Sequence, residues 1–128
     1  MLRLDTTTFV VRDYDEAIEF FVDTLGFSLT EDTDLGNGKR WVVVRPEPTG
    51  SGLLLARASD AAQDAAVGNQ TGGRVAFFVH TDDLDRQMHA WQARAVRFVE
   101  RPRSESYGKV VVFLDLYGNR WDLIEPAQ

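Results

Sequence analysis

Hydrophobic and polar positions follow the same succession of patterns twice along this chain. Residues 4–12 are rich in Thr, Phe and Val and read as a strand. Asp13 follows as a helix N-cap, with Glu16 three residues on as its capping-box partner. Beyond it, Ile18, Phe21, Val22 and Leu25 recur at i, i+3, i+4 and i+7, the spacing of one buried helical stripe. Gly26 closes that helix as a C-cap. Strands are predicted over residues 27–31, 39–45 and 52–57. Gly36-Asn37-Gly38 is the tight turn between the first two, and Pro46 and Pro48 end the second.

The second half repeats the order. Residues 74–80 read as a strand, and Asp82 or Asp83 caps a helix whose apolar face is Leu84, Met88, Trp91 and Ala95. Strands follow over residues 96–100, 109–115 and 120–125, with Pro102 ending the first and Tyr117-Gly118-Asn119 turning between the last two. The strand-to-helix corners Asp13-Tyr14-Asp15-Glu16-Ala17 and Asp83-Leu84-Asp85-Arg86-Gln87 lie about 70 positions apart, a period that marks one supersecondary unit used twice. The predicted fold is α+β, two tandem βαβββ units. Unit one covers about residues 2–57, a connector residues 58–72 and unit two about residues 73–126, all within one domain. Val42-Val43-Val44 and the apolar run over residues 110–114 do not alternate, so these strands are expected to be covered on both faces.

Composition removes several function classes. The net charge of −6 argues against a nucleic-acid or anionic-membrane surface, which needs a basic patch. The chain has no cysteine, which excludes disulfides and thiolate chemistry. No long uncharged apolar run or signal peptide is legible, so a cytoplasmic protein is expected. No nucleophile motif, phosphate-binding glycine loop or paired-carboxylate motif is present. His80 ends a strand and His89 falls off the helical stripe, so neither has the oriented partner that acid–base work needs.

Three segments carry a family resemblance. They are residues 11–17 (Val-Arg-Asp-Tyr-Asp-Glu-Ala), Thr24-Leu25-Gly26-Phe27, and residues 113–126, which contain Asp115-Leu116-Tyr117-Gly118-Asn119 and Trp121-Asp122-Leu123. With the doubled βαβββ order they resemble the vicinal oxygen chelate superfamily. That group includes glyoxalase I, bleomycin- and fosfomycin-resistance proteins and extradiol dioxygenases. The resemblance covers nearly the whole chain and implies a curved mixed sheet around a cleft. A superfamily of many chemistries does not fix function.

Metal-dependent members hold one divalent cation with His and Glu from the first and last strands of each unit. Carried onto this chain, those positions are Thr6, Leu54, Arg74 and Asp122. Of the four, only Asp122 is a good ligand, and a guanidinium repels a cation. No metal or other cofactor is therefore expected, and glyoxalase I and extradiol dioxygenase activities are disfavoured. Arg74 and Asp122 are expected to meet as a charge pair in the cation's place. Such a pair either repairs an abandoned metal site or anchors an anionic or carbonyl ligand. Trp41 and Tyr107 are candidate cleft walls, with Tyr107 in the polar turn before Gly108, and Thr6 is a minor hydrogen-bonder. The favoured reading is a homodimeric, metal-independent protein binding a small organic molecule. The alternatives are a lyase, isomerase or dioxygenase of the same superfamily, using a relocated metal or Asp122 as a base, and an accessory domain without a ligand.

Overall fold

The computed structural model describes residues 1–128 as two compact units, Met1–Val67 and Gly68–Gln128. In unit 1, β1 (Thr6–Val11) leads into α1 (Tyr14–Ile18) and a π-helical stretch (Glu19–Thr24). Strands β2 (Ser28–Gly36), β3 (Lys39–Arg45) and β4 (Gly52–Arg57) follow, then α2 (Ala61–Ala66). The sheet order is β1-β4-β3-β2, with β1 parallel to β4 and the other pairs antiparallel. In unit 2, β5 (Val75–His80) and α3 (Leu84–Gln92) precede β6 (Arg97–Phe98), β7 (Arg103–Glu105), β8 (Gly108–Leu114) and β9 (Arg120–Pro126). Its sheet runs β5-β9-β8-β6, with β7 also pairing β8 and β5 parallel to β9. The first strand of each unit thus lies parallel to the last, so the sequence repeat is also a repeat of topology.

Both helices start where the sequence places them. The Asp13 carboxylate accepts from Glu16 N at 2.9 Å and the Asp83 carboxylate from Arg86 N at 3.1 Å. Glu16 itself turns to Arg12, 2.9 Å away. The stripe buried in unit 1 is Tyr14, Ala17, Phe21 and Leu25 rather than Ile18, Phe21, Val22 and Leu25; Ile18 and Val22 are half-buried. These positions, at i, i+3, i+7 and i+11, also form one helical stripe, and it continues through the π-helical stretch, in which Leu25 N bonds to Phe20 O at 2.9 Å. Phe21 then meets Phe9 edge-on, ring centroids 5.3 Å apart, and Phe27 at 5.4 Å.

The helix of unit 2 ends sooner than predicted. Ala95 is exposed at φ +64, beyond the helix rather than on its apolar face. Leu84 and Trp91 are buried, and the Trp91 ring packs 4.9 Å from Phe113. The apolar runs are covered on both faces as expected: Val42, Val43, Val44, Val110, Val111, Val112 and Phe113 are all buried. Four further elements differ from the sequence reading. Helix α2 forms within residues 58–72, capped by Asp60, whose carboxylate accepts from Gln63 N. Strand β7 follows Pro102, and β2 extends to Gly36 through two register shifts. The predicted strand over residues 96–100 contracts to Arg97–Phe98.

Candidate functional site

Side chains opposite each other across paired strands share a face, and neighbours along a strand alternate. Phe9, Leu55 and Val42 lie opposite one another across β1, β4 and β3, and the contact of Phe9 with Phe21 makes theirs the helix-covered face. Two residues along from Leu55 and Val42, Arg57 and Arg40 come to the same face beside Tyr14. The opposite face carries Val43 and Leu54, which are directly paired, and then Trp41 and Ala56. Trp41 is 42% exposed, and its indole N–H donates to Glu31 Oε2 at 2.9 Å. That bond fixes the plane of a large, half-exposed ring.

The ladder between β3 and β4 stops at Val42–Leu55. Beyond it a cavity of about 470 Å³ opens, lined by residues from both faces. Tyr14, Lys39, Arg40, Trp41, Leu54 and Arg57 are among its walls. The Tyr14 ring carries two guanidinium groups, Arg40 at 5.2 Å and Arg57 at 5.5 Å from its centroid. Its hydroxyl oxygen also accepts from Arg40 N at 3.2 Å. The two arginines are not equivalent. Arg40 binds Asp32 through two bonds, of 3.1 and 2.8 Å, and Asp15 through a third of 2.8 Å. Hydrogen bonding to Asp32, then to Asp15, raises its pKa above the ordinary guanidinium value, and Asp32 is correspondingly lowered by Arg40. Arg57 has no carboxylate. It lies against the β2–β3 turn, 3.1 Å from where a side chain on Gly38 would begin.

In unit 2 the helix-covered face of the sheet holds Phe77, Phe113, Trp121 and Leu123. Asp122 is on the other face, opposite Phe78 on β5 and Val112 on β8. It is buried, and its Oδ1 has no hydrogen-bond partner. Burial raises its pKa, Arg103 lowers it and Glu100 raises it again. Glu100 accepts from Val112 N at 3.1 Å and from Arg103 Nε at 3.3 Å, and Arg103 also reaches Glu105 at 2.7 Å. Phe78, directly across from Asp122, is 61% exposed.

Arg74 and Asp122 do not form the expected charge pair. Arg74 is exposed and precedes β5, in which Val75 faces Arg120 and Phe78 faces Asp122. Four residues of strand, roughly 13 Å at about 3.3 Å each, separate Arg74 from the position opposite Asp122. Its backbone carbonyl accepts from the Thr71 hydroxyl at 2.8 Å. Tyr107 is half-exposed in the β7–β8 turn, and its carbonyl accepts from Ala127 N. Thr6 opens β1 opposite Gly52, half-buried, and does not line the cavity; of the five candidates only Trp41 does.

The four positions that hold a cation in metal-dependent relatives offer one carboxylate, and no three His, Cys, Asp or Glu side chains are grouped anywhere in the chain. This donor set does not fit a divalent cation. His80 and His89 are both exposed. The sequence reading missed Tyr14, Lys39, Arg40 and Arg57. Tyr14 reads as a helix-start residue, and only the pairing of β3 with β4 brings it to positions 40 and 57. Glu100 and Arg103 were missed with β7, because Pro102 reads as the end of an element.

Residues 3–123 match the Glyoxalase/Bleomycin resistance protein/Dioxygenase superfamily. An uncharacterised protein of Shewanella frigidimarina is 52% identical over 118 residues, 91% of this chain and 87% of its own. Among solved structures, TnmS3, an antibiotic binding protein from a Streptomyces species, superposes with a TM-score of 0.79 at 26% identity, covering 99% of this chain and 98% of its own. UcmS2 superposes with a TM-score of 0.84 at 23% identity, covering 98% of each chain, a likeness of fold.

Proposed function

We propose that this chain, which belongs to the Glyoxalase/Bleomycin resistance protein/Dioxygenase superfamily, binds a small organic molecule without a metal ion. The observation that carries the reading is the cavity of about 470 Å³ in unit 1, with the half-exposed Trp41 ring held at its wall by Glu31. That volume is within the range of small-molecule sites, and a fixed indole is the surface on which a planar ligand stacks. The antibiotic-binding neighbour TnmS3 supports the same class of function. The donor set at the four metal positions supports metal independence. In unit 2, taken by itself, we assign Asp122 as a separate candidate contact, its unpartnered Oδ1 available to a ligand donor. Thr6, which does not line the cavity, and the exposed Arg74 and Tyr107 are given no ligand contact in this reading. We take the protein to act in the cytoplasm as a homodimer, so sedimentation should give twice the mass of the 14.4 kDa chain.

The test is a ligand-observed NMR screen of chelator-treated protein against planar aromatic compounds, repeated with Trp41→Ala. Hits that bind without added metal and are lost in Trp41→Ala support the proposal. Hits that require an added divalent ion would overturn metal independence, and hits indifferent to Trp41 would remove the cavity as the site.

A further inference from the structure

We infer that the cavity of unit 1 selects a planar ligand carrying a negative group, with Lys39 and Arg57 taking the charge and Trp41 the ring. This rests on the small-molecule reading above and names the chemistry of its ligand. Unit 1 contains six cationic side chains: Arg3, Arg12, Lys39, Arg40, Arg45 and Arg57. Four of them are in ion pairs: Arg3 and Arg45 with Asp5, Arg12 with Glu16, and Arg40 with Asp15 and Asp32. The two without a carboxylate, Lys39 and Arg57, line the same cavity.

In a chain of net charge −6, surplus carboxylates are plentiful, so two uncompensated cations on one cavity are not a shortage of partners. The nearby acids are occupied elsewhere. Asp15 and Asp32 hold Arg40, and Glu31 holds the Trp41 indole. Arg57 is also positioned rather than loose. Its guanidinium lies 5.5 Å from the Tyr14 ring centroid and packs against Gly38. A guanidinium held over a ring by cation–π attraction keeps N–H groups for an acceptor, and its planar fork matches a carboxylate in two places. Lys39 adds a second positive charge from β3, on the strand that carries Trp41. The low-dielectric walls supplied by Leu54, Leu55 and Ala56 strengthen that field at the cavity.

Equilibrium dialysis of the full chain with 2-naphthoate and its neutral counterpart 2-naphthamide tests the inference. The two share a ring system and differ in charge. The acid should bind at least roughly tenfold more tightly than the amide, as expected for a charge-assisted contact. That ratio should collapse toward one in Arg57→Gln and in Lys39→Gln, and should partly survive in Arg57→Lys. Lys39 is exposed, so its variant reports even if Arg57→Gln disturbs the packing on Tyr14. Equal binding of acid and amide, or a preference unchanged in both Gln variants, would overturn anion selectivity while leaving the binding cavity intact. Failure of both probes to bind would remove the cavity reading, and the inference with it.

Discussion

The Trp121 indole donates its N–H to Asp115 Oδ2 over 2.8 Å, fastening the closing turn of unit 2 to its core. Both residues are buried, and the Trp121 ring lies between Phe77 at 4.6 Å and Phe113 at 5.7 Å. The same carboxylate organises the turn. Its Oδ1 accepts from Tyr117 N at 2.9 Å and Asn119 N at 3.1 Å, and its Oδ2 accepts from Asn119 Nδ2 at 3.0 Å. Asn119 passes the connection on, accepting from Gln70 N at 3.1 Å. Asp115, Asn119 and Trp121 of the family-marking segment are therefore accounted for as architecture.

Asp115→Ala should accordingly be far more damaging than Trp121→Phe. The first strands several buried donors, each costing about 1–3 kcal/mol, so a total of about 3 kcal/mol or more is expected. The second keeps a stacked ring and removes one hydrogen bond and some ring volume, for about 1–3 kcal/mol. Urea unfolding of both variants checks the order. Equal losses would mean that the turn is held by the ring rather than by the carboxylate.

Ala95 occupies the position after α3 that Gly26 occupies after the first helix. Their φ angles are +64 and +86. Ala95 N bonds to Gln92 O and Val96 N to Trp91 O, each at 3.0 Å, which is the Schellman pattern and requires a left-handed residue. A Cβ there is strained by about 1 kcal/mol, partly offset by the greater freedom glycine has in the unfolded chain. Ala95→Gly should raise the unfolding free energy by about 0.5–1 kcal/mol in a denaturant titration, whereas Gly26→Ala should lower stability by a similar amount.

Arg40 is kept from the cavity's charge balance by Asp32 and Asp15. Asp32→Asn breaks a two-bond pair between side chains 25% and 32% exposed. The stability loss should be about 0.5–1 kcal/mol and should shrink at high salt. The same change leaves Arg40 with one carboxylate. If anions are drawn to this cavity, 2-naphthoate should bind Asp32→Asn more tightly than wild type in equilibrium dialysis, while 2-naphthamide shows no comparable gain.

Much of the fold was legible because local chemistry and tertiary structure agree. Asp13 and Asp83 cap their helices, and Val42-Val43-Val44 becomes an inner strand from pattern alone. What failed depended on information outside the local window. Packing of α1 on the sheet put Tyr14 and Ala17 rather than Ile18 and Val22 in the buried stripe, and an alanine in a left-handed position shortened α3. The site was less legible still. Trp41 was found because an aromatic on an apolar strand is visible in one dimension. Tyr14, Arg40 and Arg57 come from a helix start and two strand ends, and only the β3–β4 pairing unites them. Arg74 was misplaced because strand register, with its irregularity between Val75 and Phe77, is not written in the spacing.

Asp122 gives the pH dependence a definite sign. Burial raises its folded pKa above 3.8, and its Oδ1 finds no donor to offset the cost. Between pH 3.8 and the raised value, the folded chain keeps a proton that the unfolded chain has released. The contribution of Asp122 to stability is therefore fully present below pH 3.8 and is lost as pH rises through the folded pKa. Asp5 and Asp32, lowered by Arg45 and Arg40, act in the opposite sense and lose their contribution as pH falls below the ordinary carboxylate value. Wild-type stability alone mixes these slopes, so the informative quantity is the difference between Asp122→Asn and wild type. The amide is neutral at every pH, so the variant should be the more stable protein at pH 7. That advantage should narrow as pH falls toward 3.8 and then remain flat. Urea unfolding of both proteins from pH 3.5 to 7.5 measures it. A difference independent of pH would show that Asp122 ionises in the folded chain as it does in the unfolded one, and that its orphan oxygen is served by solvent.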